Sequence, residues 1–386
     1  MKLDLPTIDD TLKGALTIRG TELGKWARRR NDTVAIIATT VGFAIGVSIG
    51  IFGPSAYPDF LVWGPVCVVS MYMLGSLISF VAINQATKAM NGGYIHRASH
   101  LTARALRLAI TLFPLSYLTF AYAVDIKLRL MLYRSRFIEA EAMTLLLDQA
   151  LTTFSRFSKQ RALRLFLANY KAIALLGQTR YADARAIFQD CLANSNRPAT
   201  RRVLENNIAH CDIEMGRPEQ ALRLVDSSLT GLGGSKFDQI IGAHLYYNKA
   251  RALTMLNRLA EAEVAANEAL KLGEKSNATV FQTGHCYQAI GEVKMAQGDL
   301  HEAEMHLKSA LEKMISRFTD CSRGAIEARL ILADLLKKMG QDKEAAEVAA
   351  IAAKSKEELI EKLTGDLDLL ARSASDGSVL ALTMNS

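Results

Sequence analysis

The C-terminal half of the sequence repeats itself with a period of roughly 40 residues, a length typical of stacked helical units. Gly216, Asn257, Gly298 and Gly340 recur at a nearly constant spacing, and each stands where the apolar pattern of a helix breaks off. Gly and Asn tolerate the left-handed backbone conformation that commonly ends a helix. This period predicts stacked helix-turn-helix units, because a single unit cannot bury its own apolar face.

Small residues recur with the same period on both sides of these turns. They lie seven residues before each turn, five after it and twelve after it: Ala209, Ala250, Gly291 and Ala333; Ala221, Ala262, Ala303 and Ala345; Ser228, Ala269, Ala310 and Ala352. Small side chains are needed where two antiparallel helices cross closely. The pattern therefore predicts an all-α fold built from helical hairpins.

Two segments carry this pattern most clearly, namely 207–222 and 289–303, and Tyr181, Ala184, Phe188 and Leu192 mark an earlier unit. A degenerate unit shows Ser135, Phe137 and Ala140, with Ser135 lying one period before Gly177. The pattern resembles the tetratricopeptide repeat (TPR) superfamily, in the longer variety found in kinesin light chains. The resemblance implies a TPR-like α-solenoid over residues 112–363, with a cap and a flexible tail over 364–386.

The resemblance also implies a concave groove formed by the first helix of each unit. It assigns to this face Lys171, Asn206, His210, His244, Tyr247, Arg251, His285, Gln288 and Glu292. The hypothesis is that a partner peptide or helix lies there, with its acidic part near Lys171 and Arg251. The alternative is that these are ordinary polar positions on exposed helix faces.

The net charge of +7 over 386 residues is concentrated around one uncharged stretch. Residues 33–82 contain no Lys or Arg, whereas residues 83–136 contain eight of them against a single Asp. Basic residues that flank an apolar run are typical of the cytoplasmic edges of a membrane segment. This distribution argues against nucleic acid as a partner.

The uncharged stretch predicts a two-helix transmembrane hairpin over residues 33–83, with spans at 33–52 and 60–83. Residues 1–32 would form a basic cytoplasmic segment and residues 84–111 a basic amphipathic juxtamembrane helix. The chain is accordingly expected to be an integral membrane protein of the bacterial inner membrane, with its N-terminus and solenoid cytoplasmic. The alternatives are a cleaved signal peptide and a third crossing at 106–124, which Pro114 and the basic residues that follow disfavour.

Two sets of residues are assigned to the bilayer. Small residues at four-residue spacing predict helix packing within the hairpin, or homo-oligomerisation through the same face: Gly42, Gly46, Gly50, Gly75 and Ser79. Basic residues predict contact with anionic headgroups, unless they form a solvated face: Arg28, Arg29, Arg30, Arg97, Arg104 and Arg107.

Chemistry-bearing motifs are missing from the sequence. The five cysteines are not closely paired, and there is no phosphate-binding loop, nucleophile elbow or zinc motif. We therefore expect no enzymatic activity, no cofactor and no metal. The function predicted is that of a membrane-anchored scaffold or adaptor that recruits protein partners, and the alternative is an integral accessory subunit of a transport or secretion complex.

Overall fold

The computed structural model describes residues 5–52, 77–78, 80–90, 95–111, 117–154, 160–276, 280–315 and 322–376. Within these ranges the chain is helical apart from turns and short connections. The helices are α1 (Asp10–Phe52), α2 (Ile95–Thr111), α3 (Tyr117–Tyr133), α4 (Phe137–Phe154), α5 (Gln160–Gly177), α6 (Tyr181–Ala193), α7 (Pro198–Glu214), α8 (Pro218–Leu229), α9 (Lys236–Met255), α10 (Leu259–Lys275), α11 (Val280–Gln297), α12 (Leu300–Ile315), α13 (Arg323–Lys338) and α14 (Asp342–Asp376). Residues 80–90 are also helical.

Contacts between residues divide the chain into two units. Unit 1 comprises Met1–Thr7, Leu132–Glu141 and Leu165–Asp368. Unit 2 comprises Ile8–Met131, Ala142–Arg164 and Leu369–Ser386. The periodic part of the sequence lies in unit 1, which is an all-α repeat solenoid.

Each helix pair is joined by a short turn that contains one residue with positive φ. These residues are Ser135 (55°), Thr179 (63°), Gly216 (72°), Asn257 (56°), Gly298 (90°) and Gly340 (76°). After Thr179, Gly216, Asn257, Gly298 and Gly340, the N–H of the following residue donates to a carbonyl five positions back, as Arg217 does to Asp212 at 2.8 Å. This is the Schellman arrangement, which satisfies carbonyls left unpaired at a helix end. The four turns predicted from the repeat period are confirmed.

The turn before these four has its left-handed residue at Thr179. Gly177, which lies one period after Ser135, is the last residue of α5. A Cβ at Gly177 would lie 2.3 Å from the nearest atom of the Phe137 ring. Gly177 is therefore required by close packing and not by turn conformation.

The periodic small residues lie at the helix crossings of unit 1, as predicted. Ala209, Ala250, Ala262 and Ala303 are each 0% exposed, and the other alanines of the three sets are also buried. Larger residues such as Leu245 and Leu253 fill the space between them. These positions form the continuous core of the solenoid, which confirms the helix-pair interpretation.

Side-chain contacts also join the turn at Ser135, near the start of unit 1, to its last helix, α14. Arg136, in the turn before α4, pairs with Asp366 of α14 at 3.2 Å. Lys362 of α14 donates to the carbonyl of Arg134 in the same turn. Helix α14 continues without a break through the predicted boundary at residue 364, and Leu367–Ala371 forms part of it.

Unit 2 contains the N-terminal part of α1 packed against α4. Leu12, Leu16 and Leu23 are buried, although the sequence predicted that residues 1–32 form a basic cytoplasmic segment next to the membrane. A Cβ at Gly20 would lie 2.7 Å from the Leu146 carbonyl oxygen, and one at Gly24 would lie 2.5 Å from that of Ala150. These glycines allow the two helix backbones to approach closely.

The predicted transmembrane hairpin is not supported. Of the helical residues that the structure describes, none belong to a helix both long and apolar enough to cross a membrane. The assignment of the chain to the bacterial inner membrane is therefore wrong, and membrane anchoring is not supported. Most of the second predicted span, 60–83, lies outside the described residues. Residues 33–52 form the second part of α1, a helix that begins at Asp10 and carries Lys13 and Lys25. Hydropathy alone had indicated that this apolar run is a separate membrane-spanning helix.

The structure describes only some of the residues that were assigned to the bilayer. Gly42, Gly46 and Gly50 lie in α1, whereas Gly75 and Ser79 fall outside the described residues. Among the basic residues the side chains of Arg28, Arg29, Arg97 and Arg104 are exposed, and those of Arg30 and Arg107 lie outside the description.

Candidate functional site

The first helices of successive pairs in unit 1 enclose a cavity of about 380 Å³. Residues from the α3–α5 side make one part of its wall apolar: Leu132, Phe137, Ile173 and Leu176, together with Tyr133. Residues from α7, α9, α11 and α13 make the other part polar: Asn206, Asn207, His210, His244, Tyr247, Asn248, His285, Arg323 and Glu327. The cavity therefore has two chemically distinct sides.

The repeat period explains why polar side chains collect there. Positions separated by one period lie at equivalent places on neighbouring helices. Asn206 and Tyr247 are related in this way, and so are His244, His285 and Glu327. The rings of Tyr247 and His285 lie close together, with their centroids 5.6 Å apart.

Arg323, at the start of α13, reaches across the cavity to α5 and α6. Its Nη2 donates to the hydroxyl of Tyr181 at 2.6 Å, and its Nη1 donates to the carbonyl of Leu176. Its Nε donates to Glu327 at 2.7 Å. One buried guanidinium thus connects the α5–α6 turn with the last pair of helices.

These contacts continue into a longer series, which we call the ionic chain: Glu327, Arg323, Tyr181, Glu214, Arg251 and Glu292. Burial raises the pKa of the Tyr181 hydroxyl and the negative charge of Glu214 adds to this effect, whereas Arg323 opposes it. Arg251 donates to Glu214 at 2.8 Å and lies 3.7 Å from a carboxylate oxygen of Glu292. In the ionic chain Arg323 pairs with Glu327, and Arg251 lies between Glu214 and Glu292. Each cation is therefore neutralised by a neighbouring carboxylate.

The carboxylates at the Arg251 end differ in their proton affinities. Burial opposes ionisation of Glu214, but Arg251, His210 and Arg323 outweigh it and lower its pKa to about 2. Burial raises the pKa of Glu292, although Arg251 opposes this effect. Glu214 is therefore firmly ionised, whereas Glu292 holds its charge less strongly.

Three histidines of the site are held in the neutral form. Burial lowers the pKa of His210 to about 4 and that of His285 to about 3, and the neighbouring His244 adds to the effect on His285. Burial also lowers the pKa of His244. At neutral pH these imidazoles supply hydrogen-bonding groups and no charge.

Two asparagines join α7 to α9 beside the cavity. The Nδ2 of Asn248 donates to the side-chain oxygen of Asn206 at 2.9 Å and to its backbone oxygen at 3.2 Å. The Oδ1 of Asn248 is buried, and among the described residues it has no hydrogen-bond partner. Asn248 is 2% exposed, so this acceptor is shielded from bulk solvent.

Most of the residues predicted for the concave face are brought together. The cavity is lined by Asn206, His210, His244, Tyr247 and His285. Arg251 and Glu292 line a neighbouring depression of about 370 Å³, and Gln288 is buried and donates to Glu292 at 2.7 Å. Lys171 is partly exposed and does not belong to the cavity wall.

Several residues of the site were not predicted from the sequence. Glu327 lies one period after His285, so the repeat could have identified it. Asn248 follows the selected Tyr247 and was passed over. Tyr181 and Glu214 were not assigned to the groove. No local signal places Arg323 in the site, because its partners Tyr181 and Leu176 lie more than 140 positions away.

The described part of the chain offers no cluster of three or more His, Cys, Asp or Glu that could hold a metal ion. Cys286, next to His285, is buried, and this burial raises the pKa of its thiol to about 12. A thiol of that kind is protonated at neutral pH and is a poor nucleophile.

No protein-family model matches this sequence, and no curated protein matches it either. Solved structures do resemble it. One is a Rap protein complexed with competence and sporulation factor, which is 16% identical with a TM-score of 0.52 and covers 80% of this chain and 89% of that chain.

Two further structures align less well. The apo form of RapI is 12% identical with a TM-score of 0.44, over 77% of this chain and 85% of that chain. TPR-like repeats of a kinesin light chain type from Podospora anserina are 15% identical with a TM-score of 0.36, over 50% of this chain and 95% of that chain. At these identities the likeness concerns the fold, a helical repeat solenoid resembling TPR proteins.

Proposed function

We propose that this chain is a TPR-like adaptor that binds a short segment of a protein partner in the cavity of unit 1. The observation that carries this proposal is the cavity itself, which combines an apolar wall with an opposite polar wall. Ligand pockets typically occupy roughly 300–1,000 Å³ and pair apolar surface with a few placed polar groups. A cavity of about 380 Å³ suits a few residues of a peptide.

The fold supports this use of the concave face. Repeat solenoids commonly bind partners along the surface formed by the first helix of each pair. The Rap protein of similar fold was solved in complex with competence and sporulation factor, so such a solenoid can hold a bound factor. Backbone amides of a peptide would find partners in the Asn and His side chains of the polar wall.

The polarity first expected for the ligand needs revision. The sequence argument placed an acidic group near Lys171 and Arg251, but Glu214 and Glu292 already neutralise Arg251. A change of Arg251 to Glu would bring three carboxylates together and disturb the fold. That variant is therefore a poor test of binding.

The proposal includes no catalytic role. The neutral histidines form part of a binding wall, and Cys286 is protonated. The alternative of an integral accessory subunit depended on the transmembrane spans, and it is not carried further. What remains is an adaptor whose partner contacts lie on the solenoid.

The test is affinity selection of random hexapeptides on the full chain with the cavity open or filled. Asn207 lines the cavity and is partly exposed, so Asn207→Phe places a ring in it. Asn267→Phe, on the exposed face of α10, is the matched control. We expect the wild type and Asn267→Phe to retain the same peptides, and Asn207→Phe to retain at least tenfold less. Equal retention by all three proteins, or by none, would refute the proposal.

A further inference from the structure

The ionic chain contains more negative than positive groups. Glu327, Glu214 and Glu292 contribute three carboxylates, whereas Arg323 and Arg251 contribute two guanidiniums. The three histidines beside the chain are neutral at physiological pH. Of these charged groups, Arg323 and Glu327 line the cavity, so Glu327 is the carboxylate that a ligand cation can reach there.

The hydrogen-bonding groups of the cavity point the same way. The Oδ1 of Asn248 lies in the wall of the cavity and lacks a donor among the described residues. Leaving a buried acceptor unpaired destabilises the folded protein. Because Asn248 lines the cavity, a ligand bound there can supply the donor that the described residues do not.

A ligand carboxylate would be received less well. Arg323 already donates to Glu327, Tyr181 and the Leu176 carbonyl, so each of its three nitrogens is engaged. A carboxylate at this place would be a further anion beside Glu327. Glu327 itself keeps one oxygen that the hydrogen bond from Arg323 does not use, and its side chain is 37% exposed.

Apolar side chains oppose this polar wall. Leu132, Ile173 and Leu176 line the α3–α5 side together with the Phe137 ring. The site therefore fits a group that joins a cation with hydrogen-bond donors to an adjacent apolar side chain. The amino-terminal residue of a peptide has this form.

Given the proposed function, we infer that the cavity recognises the free amino terminus of a partner peptide whose first side chain is apolar. The α-ammonium group is received by Glu327 and by the amide oxygen of Asn248. The first side chain lies against Leu132, Ile173 and Leu176. This inference depends on peptide binding in the cavity, and it adds which end of the peptide is bound.

The experiment compares three matched pools of random hexapeptides by affinity selection and mass spectrometry on the full chain. The first pool has a free amino terminus and a carboxamide end, the second is acetylated with a carboxamide end, and the third is acetylated with a free carboxylate. We expect the first pool to be retained at least tenfold more than the others, with Leu, Ile, Val, Met or Phe at the first position. Acetylation is a change in the ligand, so this comparison does not depend on the folding of a variant.

A protein variant gives a second measurement. Glu327→Gln keeps the shape of the side chain and removes its charge, so it should weaken binding of the retained free-amine peptides at least tenfold. Glu347→Gln, on the exposed face of α14, is the control and should leave binding unchanged.

The outcomes separate the two proposals. Equal retention of free and acetylated peptides, or a preference for the carboxylate pool, would overturn this inference and leave peptide binding in the cavity intact. Retention of every pool by Asn207→Phe as well as by the wild type would place binding outside the cavity, and both proposals would fail. Unchanged binding by Glu327→Gln would overturn the role given to Glu327.

Discussion

Arg323 Nη2 and Tyr181 Oη lie 2.6 Å apart although the two residues are separated by 142 positions in the chain. Arg323 begins the last pair of helices of unit 1, and Tyr181 begins α6. The contact is buried beside the cavity and is reinforced by Glu327 and the Leu176 carbonyl. It therefore sets the distance between early and late repeats, and with it the width of the cavity.

Replacing Arg323 by Gln should destabilise the protein by about 3 kcal/mol. The change leaves Glu327 and Tyr181 beside the cavity without their shared cation, and breaking a buried pair by removing one partner costs roughly 3–5 kcal/mol. Urea unfolding followed by circular dichroism measures the loss. Lys338→Gln, in an exposed pair with Asp334, is the control and should cost less than about 0.5 kcal/mol. Similar effects of the two changes would contradict the structural role of Arg323.

A methyl group added at Gly177 should be poorly tolerated. The new Cβ would meet the Phe137 ring at 2.3 Å, so the ring or α5 must move, at a cost of about 1–3 kcal/mol. Gly365→Ala is the matched control in α14, where nothing lies within 4 Å of the new atom. There alanine should stabilise the helix by about 0.5–1 kcal/mol. Chemical denaturation of both variants would show opposite shifts in midpoint.

Thr179→Gly should stabilise the protein. Thr179 has φ of 63°, and a β-branched residue in the left-handed region is strained by about 1–2 kcal/mol. Glycine removes this strain and loses the contacts of the threonine side chain, so a net gain of about 1 kcal/mol is expected. Asn257→Gly, at the equivalent turn, should change stability less, because asparagine tolerates this conformation. A thermal melt that showed no gain for Thr179→Gly would contradict the strain.

Stability should fall as the pH is lowered from about 6.5 towards 4. The folded-state pKa of His210 is about 4 and that of His285 about 3, both below the unfolded value of 6.5. The unfolded chain therefore takes up protons first, and the stability present above pH 6.5 is lost on acidification. The two partly exposed histidines should cost about 1–2 kcal/mol each by pH 5.

Urea midpoints at pH 7.5 and pH 5.0 measure this loss, and the double change His210→Gln with His285→Gln should reduce it. Glu214 adds a second decline at lower pH, since its pKa is about 2 when folded and 4.5 when unfolded. The raised pKa of Glu292 acts in the opposite sense at low pH. An unchanged midpoint between pH 7.5 and 5.0 would show that the histidines are not held neutral.

The apolar run at residues 33–52 shows where reasoning from sequence reaches its limit. The run does lack charged residues, but its hydropathy does not reveal that the same helix begins at Asp10. Likewise, Leu12, Leu16 and Leu23 form an apolar stripe that suits a membrane surface or a protein neighbour equally well. The structure buries them in unit 2.

The site was predicted in part. The resemblance to TPR proteins assigned Asn206, His210, His244, Tyr247 and His285 to one face, and the structure places all five in the cavity wall. The same reasoning assigned Arg251 a free positive charge. The order of the residues does not reveal that Glu214, from α7, and Glu292, from α11, neutralise that charge.

The amino-acid sequence alone determined the helix pairs, their turns and the small residues at the crossings. Helical periodicity and left-handed turns depend on interactions between residues a few positions apart, and these are visible in the order of the residues. Only the tertiary structure decided that Arg323 meets Tyr181, that three histidines lose their charge and that Arg323 and Glu327 share the wall of the cavity. Desolvation and ion pairing depend on which groups lie together in space, and here those groups come from helices far apart in the chain.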